Sequence, residues 1–360
     1  GMPATLPTGL HFDSKSGIIS GLPLSELPAT DFTVIASNSE ISISAVLKIE
    51  ILKFPIPTKI TGSTGSSIHC ALDKEGGGVC FGIPGKPPIV LPSLLGSIKD
   101  VKDDCILLTN GDLYCGNLNT VLAESHMSDV LPADFRKVAT EVLSFSGRSK
   151  ESAGLRCFVN FKGKAFCSGN NQWGQLGRGT ISSGYPSPLP VYNMDSGVTQ
   201  IEVSGYGVCA IKDGGVLCWG LNTVPKASTR DGQPYSQALV PTSIEGLNEN
   251  VKQIALRGGI SCALLVDGSV KCLNLYGIFT PDPMKSVLAV EDLLGIQSIA
   301  PMDTGKEDFL SLGGGLCGVK ENSEVWCIRP NPACKKYTGG TTSKCLIASK
   351  SKFLEALQVK

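Results

Sequence analysis

Of the residue types that usually carry metal or acid–base chemistry, histidine is scarce: only His11, His69 and His126 occur in 360 residues. No CxxC pair exists, so the ligand spacing of a structural zinc site is missing. Net charge is missing too, because 32 basic residues balance 32 acidic ones. A chain without an overall basic field is a poor fit to a phosphate backbone, which excludes nucleic acid as the expected partner. No apolar run approaches the roughly 20 residues that cross a bilayer, so membrane insertion is not expected of this chain. Gly1-Met2-Pro3 runs straight into strand-like sequence, so a secretory leader is not expected within this stretch. Glycine (42) and proline (22) are plentiful while charged residues make up 18%. That balance favours short strands joined by many tight turns.

Cysteine is the informative residue. All 14 lie at or beyond Cys70, and they fall into neighbour pairs with gaps of 10, 10, 10, 9, 10, 10 and 11. Six pairs bracket the strings CALDKEGGGVC, CILLTNGDLYC, CFVNFKGKAFC, CAIKDGGVLC, CALLVDGSVKC and CGVKENSEVWC. Each reads as apolar strand, polar turn, apolar strand, which is a hairpin pattern. Cysteines facing each other across such a hairpin place its turn midway between them. A gap of 10 then demands a three-residue loop with glycine at its left-handed last position, where Gly76, Gly111, Gly163 and Gly268 stand. The gap of 9 demands a two-residue loop, and Asp213-Gly214 is the preferred pair for it. The sixth hairpin has Asn322-Ser323 where glycine is expected.

Opposed residues in close antiparallel pairs lie within disulfide reach. The spacing therefore predicts Cys70–Cys80, Cys105–Cys115, Cys157–Cys167, Cys209–Cys218, Cys262–Cys272 and Cys317–Cys327, with Cys334–Cys345 stapling a terminal loop. Seven disulfides require an oxidising compartment, so an extracellular or cell-surface location is expected. First cysteines of successive hairpins are 35, 52, 52, 53 and 55 residues apart. A period near 50 with a hairpin in each unit indicates a β-propeller. A strand such as VTQIEVSGYGV precedes each hairpin, and a shorter one near Leu189–Val191 or Leu239–Val240 precedes that, making four per blade. The first hairpin shows no such donor upstream. The tail Phe353–Val359 is available to supply one, and the short first interval suggests a trimmed connection in the second blade.

The string CSGNNQWGQLGRG (Cys167–Gly179), CWGLN at Cys218–Asn222 and the theme at Ile254–Leu264 resemble the regulator of chromosome condensation repeat family. The resemblance spans about residues 58–330 and implies an all-β propeller of six blades, or seven if terminal sequence builds another. The cysteine-bearing version is similar to secreted and receptor-ectodomain members. Residues 1–54 differ in character. LPTGLHFDSKSGIISGLP followed by FTVIASNSEISISAVLKIEI resembles the immunoglobulin-like modules of surface proteins. Ile41, Ile43, Ala45, Leu47, Ile49 and Ile51 alternate as on a half-buried strand. About 52 residues are too few for the seven or so strands of such a module. The expected division is thus a partial immunoglobulin-like module at 1–54, with a sheet edge open to self-association, and a propeller at 55–360.

No catalytic set emerges, and no cofactor or metal is implied. His69 beside Cys70 reads as a strand position, Gly76–Gly78 and Gly313–Gly315 as turns and strand entries, and Asp103-Asp104 and Glu307-Asp308 as solvated loop charges. Trp173, Trp219 and Trp326 read as core packing. The chain is not expected to be an enzyme. Recognition through loops on a rigid disc fits better. The longest irregular stretches, Arg178–Pro190 and Thr223–Ala238, offer Arg178, Tyr185, Arg230 and Tyr235, of types enriched at binding hot spots. The expected ligand is a protein or glycan. Two other readings follow from the resemblance: a secreted inhibitor blocking an enzyme with one face, and a nuclear exchange factor, which the disulfides and neutral charge disfavour.

Overall fold

The computed structural model describes the chain outside residues 1–5, 22–26, 38–39, 52–56, 63–68, 82–88, 92–97, 117–135, 148–153, 205–206, 222–236, 258–259, 274–286, 291–292, 303–314, 331–345 and 351–360, and outside positions 9, 17, 75, 103 and 323. Two compact units separate, one built on residues 1–55 and one on Ile56–Ser351. The first holds β1 (Leu10–Phe12) paired with β2 (Ile19–Gly21), and β3 (Leu27–Ser37) paired with β4 (Ser42–Ile51). The β3–β4 hairpin buries Phe32 but leaves Ile35, Ile43 and Val46 about two-thirds exposed. The strand read on residues 41–51 is present as β4, whereas the expected half-burial is not, since residues 41–48 are all exposed. The described residues of this unit form two-stranded sheets with no second layer over Ile43.

The larger unit contains six four-stranded antiparallel sheets among the described residues, each contiguous in sequence. They are β5–β8 (Lys59–Gly62, His69–Leu72, Gly78–Phe81, Ile89–Val90), β9–β12 (Ile98–Lys102, Cys105–Leu108, Leu113–Cys115, Arg136–Ala139) and β13–β16 (Val142–Gly147, Arg156–Asn160, Ala165–Asn171, Ser182–Pro190). The remaining three are β17–β20 (Val198–Ser204, Gly207–Lys212, Gly215–Leu221, Gln237–Ser243), β21–β24 (Val251–Arg257, Ile260–Leu265, Val270–Leu273, Val287–Ala289) and β25–β28 (Ile296–Met302, Gly315–Lys320, Val325–Pro330, Leu346–Lys350). First strands pack side by side from β5 to β9, β13 to β17, β17 to β21 and β21 to β25, β13 meets β10 of the second sheet, and β25 packs against β5. The architecture is an all-β propeller.

Two expectations change. The short strand near Leu189 or Leu239 closes the preceding blade rather than opening the next: Leu189 stands opposite Cys167, and Ala238 opposite Gly220. The first hairpin also has its own donor, since Thr61 of β5 stands opposite Cys70. At four residues, β5 is too short to show a period in sequence. The tail Phe353–Val359 lies outside the described residues. The shortened first interval falls in the first blade, whose fourth strand is only Ile89–Val90.

The turns follow the cysteine spacing. Gly76, Gly111, Gly163 and Gly268 have φ of 84°, 87°, 73° and 79°, and Asp213-Gly214 has 50° and 79°. All six predicted hairpin disulfides are present, with Cα–Cα distances of 3.9–4.1 Å. Ser323, Cys334 and Cys345 lie outside the described residues.

Five of these turns also dock on the next blade. The carbonyls of Gly76, Gly111, Gly163, Gly214 and Gly268 accept the N–H groups of Ile98, Val142, Val198, Val251 and Ile296, the first residues of the following inner strands, at 2.9–3.2 Å. The residue before four of those strands is left-handed: Glu141, Gly197, Asn250 and Gly295, φ 57–75°. Fully buried plugs fill the gaps between blades, among them Met194, Leu247 and Leu293, each three residues after a buried Val191, Ile244 or Val290.

Candidate functional site

The innermost strands carry mostly polar residues at two positions that the register defines, with alanine at one of them in the last two blades. Opposite the first cysteine of each hairpin stand Thr61, Lys102, Ser146, Glu202, Ala255 and Ala300. Two residues earlier stand Lys59, Asp100, Ser144, Gln200, Gln253 and Ser298. Inner strands of neighbouring blades do not share a sheet, so their facing backbone groups need other partners. The polar row supplies them. Gln200 accepts from Ile254 N–H and donates to Ile254 C=O, both at 2.8 Å. Gln253 does the same to Ile299, at 2.9 and 2.7 Å. Ser144 and Ser146 accept from Ile201 and Val203 at 3.2 and 3.0 Å, and Lys99 donates to Leu143 C=O at 2.7 Å.

Four charges meet among these strands. Lys102 of the second blade pairs with Glu202 of the fourth and lies 3.2 Å from Asp100, which lies 3.3 Å from Lys59. Burial opposes the charge of Lys102, but Asp100 and Glu202 more than offset it and hold the ammonium above the usual lysine range. Burial pushes Asp100 up, and Lys102 and Lys59 more than reverse that, leaving it below the usual carboxylate range. At Glu202 burial wins, and its carboxyl sits above that range despite Lys102. Lys59 is lowered by burial, with Asp100 offsetting part of the shift. The cavity beside these groups has about 10 Å³, room for about one water. The cluster is therefore an internal strut between blades.

The sequence reading missed this cluster for a concrete reason. The distance from this row to its cysteine runs from three residues (Lys102 to Cys105) to seventeen (Ala300 to Cys317), so aligning on cysteines scatters the row. Aligning on VTQIEVS and VKQIALR would have lined up Gln200 with Gln253.

The motif string at 167–179 is also built into the scaffold. Asn171, fully buried, donates to Thr180 C=O at 2.9 Å and accepts from Leu176 N–H at 2.9 Å. This seats the fully buried Leu176 and aims the Gln175 carbonyl at the indole N–H of Trp219, 2.8 Å away on the next blade. A side chain at Gly177 (φ 62°) would collide with Trp219 and Val191. Trp219 is thus core, as expected. Trp173 is 40% exposed, contrary to that expectation. Trp326 is half-buried, its indole N–H donating to Glu324 at 3.2 Å with the Lys320 ammonium over its ring.

Of the expected binding residues, Arg178 is exposed and donates to the Pro190 carbonyl at 2.9 Å. Tyr185 is part of β16, opposite Gly169. Arg178–Pro190 is therefore largely strand, not the irregular stretch expected. Pro186, Pro188 and Pro190 hide its character, but proline is tolerated on a blade's outer edge, where no further strand needs an N–H. Arg230 and Tyr235 lie outside the described residues, as do Asp103, Glu307 and Asp308. His69 is buried, and the sulfur of Cys70 is bonded to Cys80, so no thiol stands beside that imidazole. Among the described residues no cluster of metal-ligating side chains is present, and no helix is long and apolar enough to cross a membrane.

Comparison with known proteins agrees with both units. Residues 2–51 match the family model described as "Putative Ig domain". Human WBSCR16 shares the fold with a TM-score of 0.52 at 15% identity, over 89% of this chain and 89% of that one. Prp20p from Saccharomyces cerevisiae aligns with a TM-score of 0.49 at 16% identity, over 81% and 76% of the two chains. Yeast RCC1 (Prp20) bound to Kap60 aligns at 0.48 and 18%, over 74% and 68%. No curated protein sequence matches the chain.

Proposed function

We propose that this chain is the recognition part of an extracellular or cell-surface protein, holding a protein or glycan ligand against one end of its propeller. The six clasped hairpins carry this reading, because disulfides formed in every described blade persist only in an oxidising compartment. The match of residues 2–51 to an immunoglobulin-type family supports it.

Strand order favours one end of the disc. Hairpin turns and blade-to-blade links share an end and are short, as between Pro190 and Val198 or Ser243 and Val251. Every long connection leaves the opposite end: Cys115 to Arg136, Leu221 to Gln237, Leu273 to Val287, Met302 to Gly315 and Pro330 to Leu346. Loops carried by a rigid scaffold are where recognition concentrates. Arg230 and Tyr235 belong to the second of these connections.

A binding screen of the intact chain against glycan and cell-surface protein arrays tests the proposal. Replacing residues 223–236 with a short glycine–serine linker is expected to abolish the strongest hit while keeping the thermal midpoint. Unchanged binding by that variant and by equivalent replacements at 117–135 and 274–286 would overturn the assignment of this end.

A further inference from the structure

The six hairpin disulfides are not chemically equivalent. Both cysteines of the Cys105–Cys115 pair are partly exposed, whereas every other described pair contains at least one that is fully buried. The flanking residues differ as well. The row that crosses each blade at its disulfide ends on the fourth strand at Ile89, Leu189, Thr242, Leu288 or Ser349 in five blades, and at Arg136 in the second. Directly opposed strand residues lie about 4.5–5.5 Å apart and share a sheet face, so Arg136, itself exposed, stands beside Cys115 on the same face of the blade. On the other side Cys105 stands opposite Lys102, whose charge is engaged by Glu202 and Asp100. Asp104 precedes the pair in sequence.

Access and a neighbouring cation both favour thiol–disulfide exchange, the second by stabilising the thiolate that leaves. We propose that Cys105–Cys115 is an exchangeable disulfide, opened by low-molecular-weight thiols while the other five hairpin clasps stay closed. The thiolate of one small thiol attacks one sulfur of the pair. The Cys105–Cys115 bond breaks, its electron pair leaving on the other cysteine as a thiolate, and a mixed disulfide forms. A second small thiolate attacks the mixed disulfide and departs as the oxidised dimer of the small thiol. Two electrons pass to the protein, whose two cysteines take up protons according to pH. The bond lies at the end of the hairpin from which the Cys115–Arg136 connection departs.

The test exposes the intact, oxidised chain to reduced glutathione, quenches by alkylation at timed intervals and locates the labelled cysteines by peptide mass spectrometry. Cys105 and Cys115 are expected to be labelled at least about fivefold faster than either member of the other five hairpin pairs. Another of those pairs opening as fast, or all six opening together as in global unfolding, would overturn the proposal. Arg136→Leu is expected to slow the exchange several-fold while the other five rates and the thermal midpoint stay put. An unchanged rate in that variant would overturn the part assigned to the cation.

Discussion

Gln200 on β17 treats Ile254 on β21 as an adjoining strand would, taking its N–H and giving to its C=O at 2.8 Å each. Two blades that share no sheet are thereby joined by one side-chain amide. Gln200→Leu keeps the volume and removes both bonds, with the one Gln200 donates to Glu202 at 2.8 Å, stranding two backbone groups in a partly buried seam. The expected loss is about 2–4 kcal/mol, taking about 1–2 for each unpaired group, read from the urea midpoint. A loss under about 0.5 kcal/mol would mean that water satisfies the seam.

The charge cluster yields an asymmetry. Lys102 serves two carboxylates, whereas Glu202 is only one of its two partners. Lys102→Met leaves Glu202 buried without its cation, and removing one member of a buried pair costs about 3–5 kcal/mol. Glu202→Gln leaves Lys102 with Asp100, so its cost is expected to be smaller. Chemical denaturation of both variants at neutral pH checks the order, and an equal or reversed order contradicts the geometry.

Titration separates the two acids. Burial raises the carboxyl of Glu202, so its native pKa exceeds its unfolded one. Such a group favours the fold fully below the unfolded value, about 4.3 for glutamate, and loses that contribution as pH rises through the native value. Relative to Glu202→Gln, the parent chain should therefore gain stability as pH falls from about 7 to about 4.5. Asp100 runs oppositely: its depressed pKa contributes stability above about 3.9 that is lost as pH falls through the lower native value. Urea midpoints of parent and variant at the two pH values decide this, and a constant difference between them contradicts it.

Glu141 occupies a left-handed position (φ 57°) that Gly197 and Gly295 fill in two other blades. A non-glycine residue there is strained by about 1–2 kcal/mol. Glu141→Gly is expected to raise stability by about 0.5–1 kcal/mol, the strain relief less the greater entropy of glycine. Gly111→Ala tests the converse, since that glycine is left-handed (φ 87°) and its missing Cβ faces the Phe161 ring. It should destabilise by about 1–3 kcal/mol. Paired thermal melts giving the opposite signs would contradict the backbone assignment.

What the sequence could and could not disclose follows from the range of each interaction. Hairpins were legible because a disulfide across a turn ties its spacing to the turn type, down to Asp213-Gly214 for the shorter gap. Blade boundaries were read out of phase, since Leu189 lies nearer in sequence to Val198 than to Cys167, and only the ladder reveals that it pairs with Cys167. The strut of Lys59, Asp100, Lys102 and Glu202 was invisible because it joins residues up to 143 positions apart. Nothing local marks Glu202 as the partner of Lys102. At Arg178–Pro190 a proline-rich string read as loop proved to be an edge strand.

Disulfide mapping of the native protein, alkylated and digested without reductant, examines the whole reading at its base. Neighbour linkages Cys70–Cys80, Cys105–Cys115, Cys157–Cys167, Cys209–Cys218, Cys262–Cys272 and Cys317–Cys327 are expected. Most of these twelve cysteines recovered as free alkylated thiols, or linked between hairpins, would contradict both the clasped propeller and its extracellular setting.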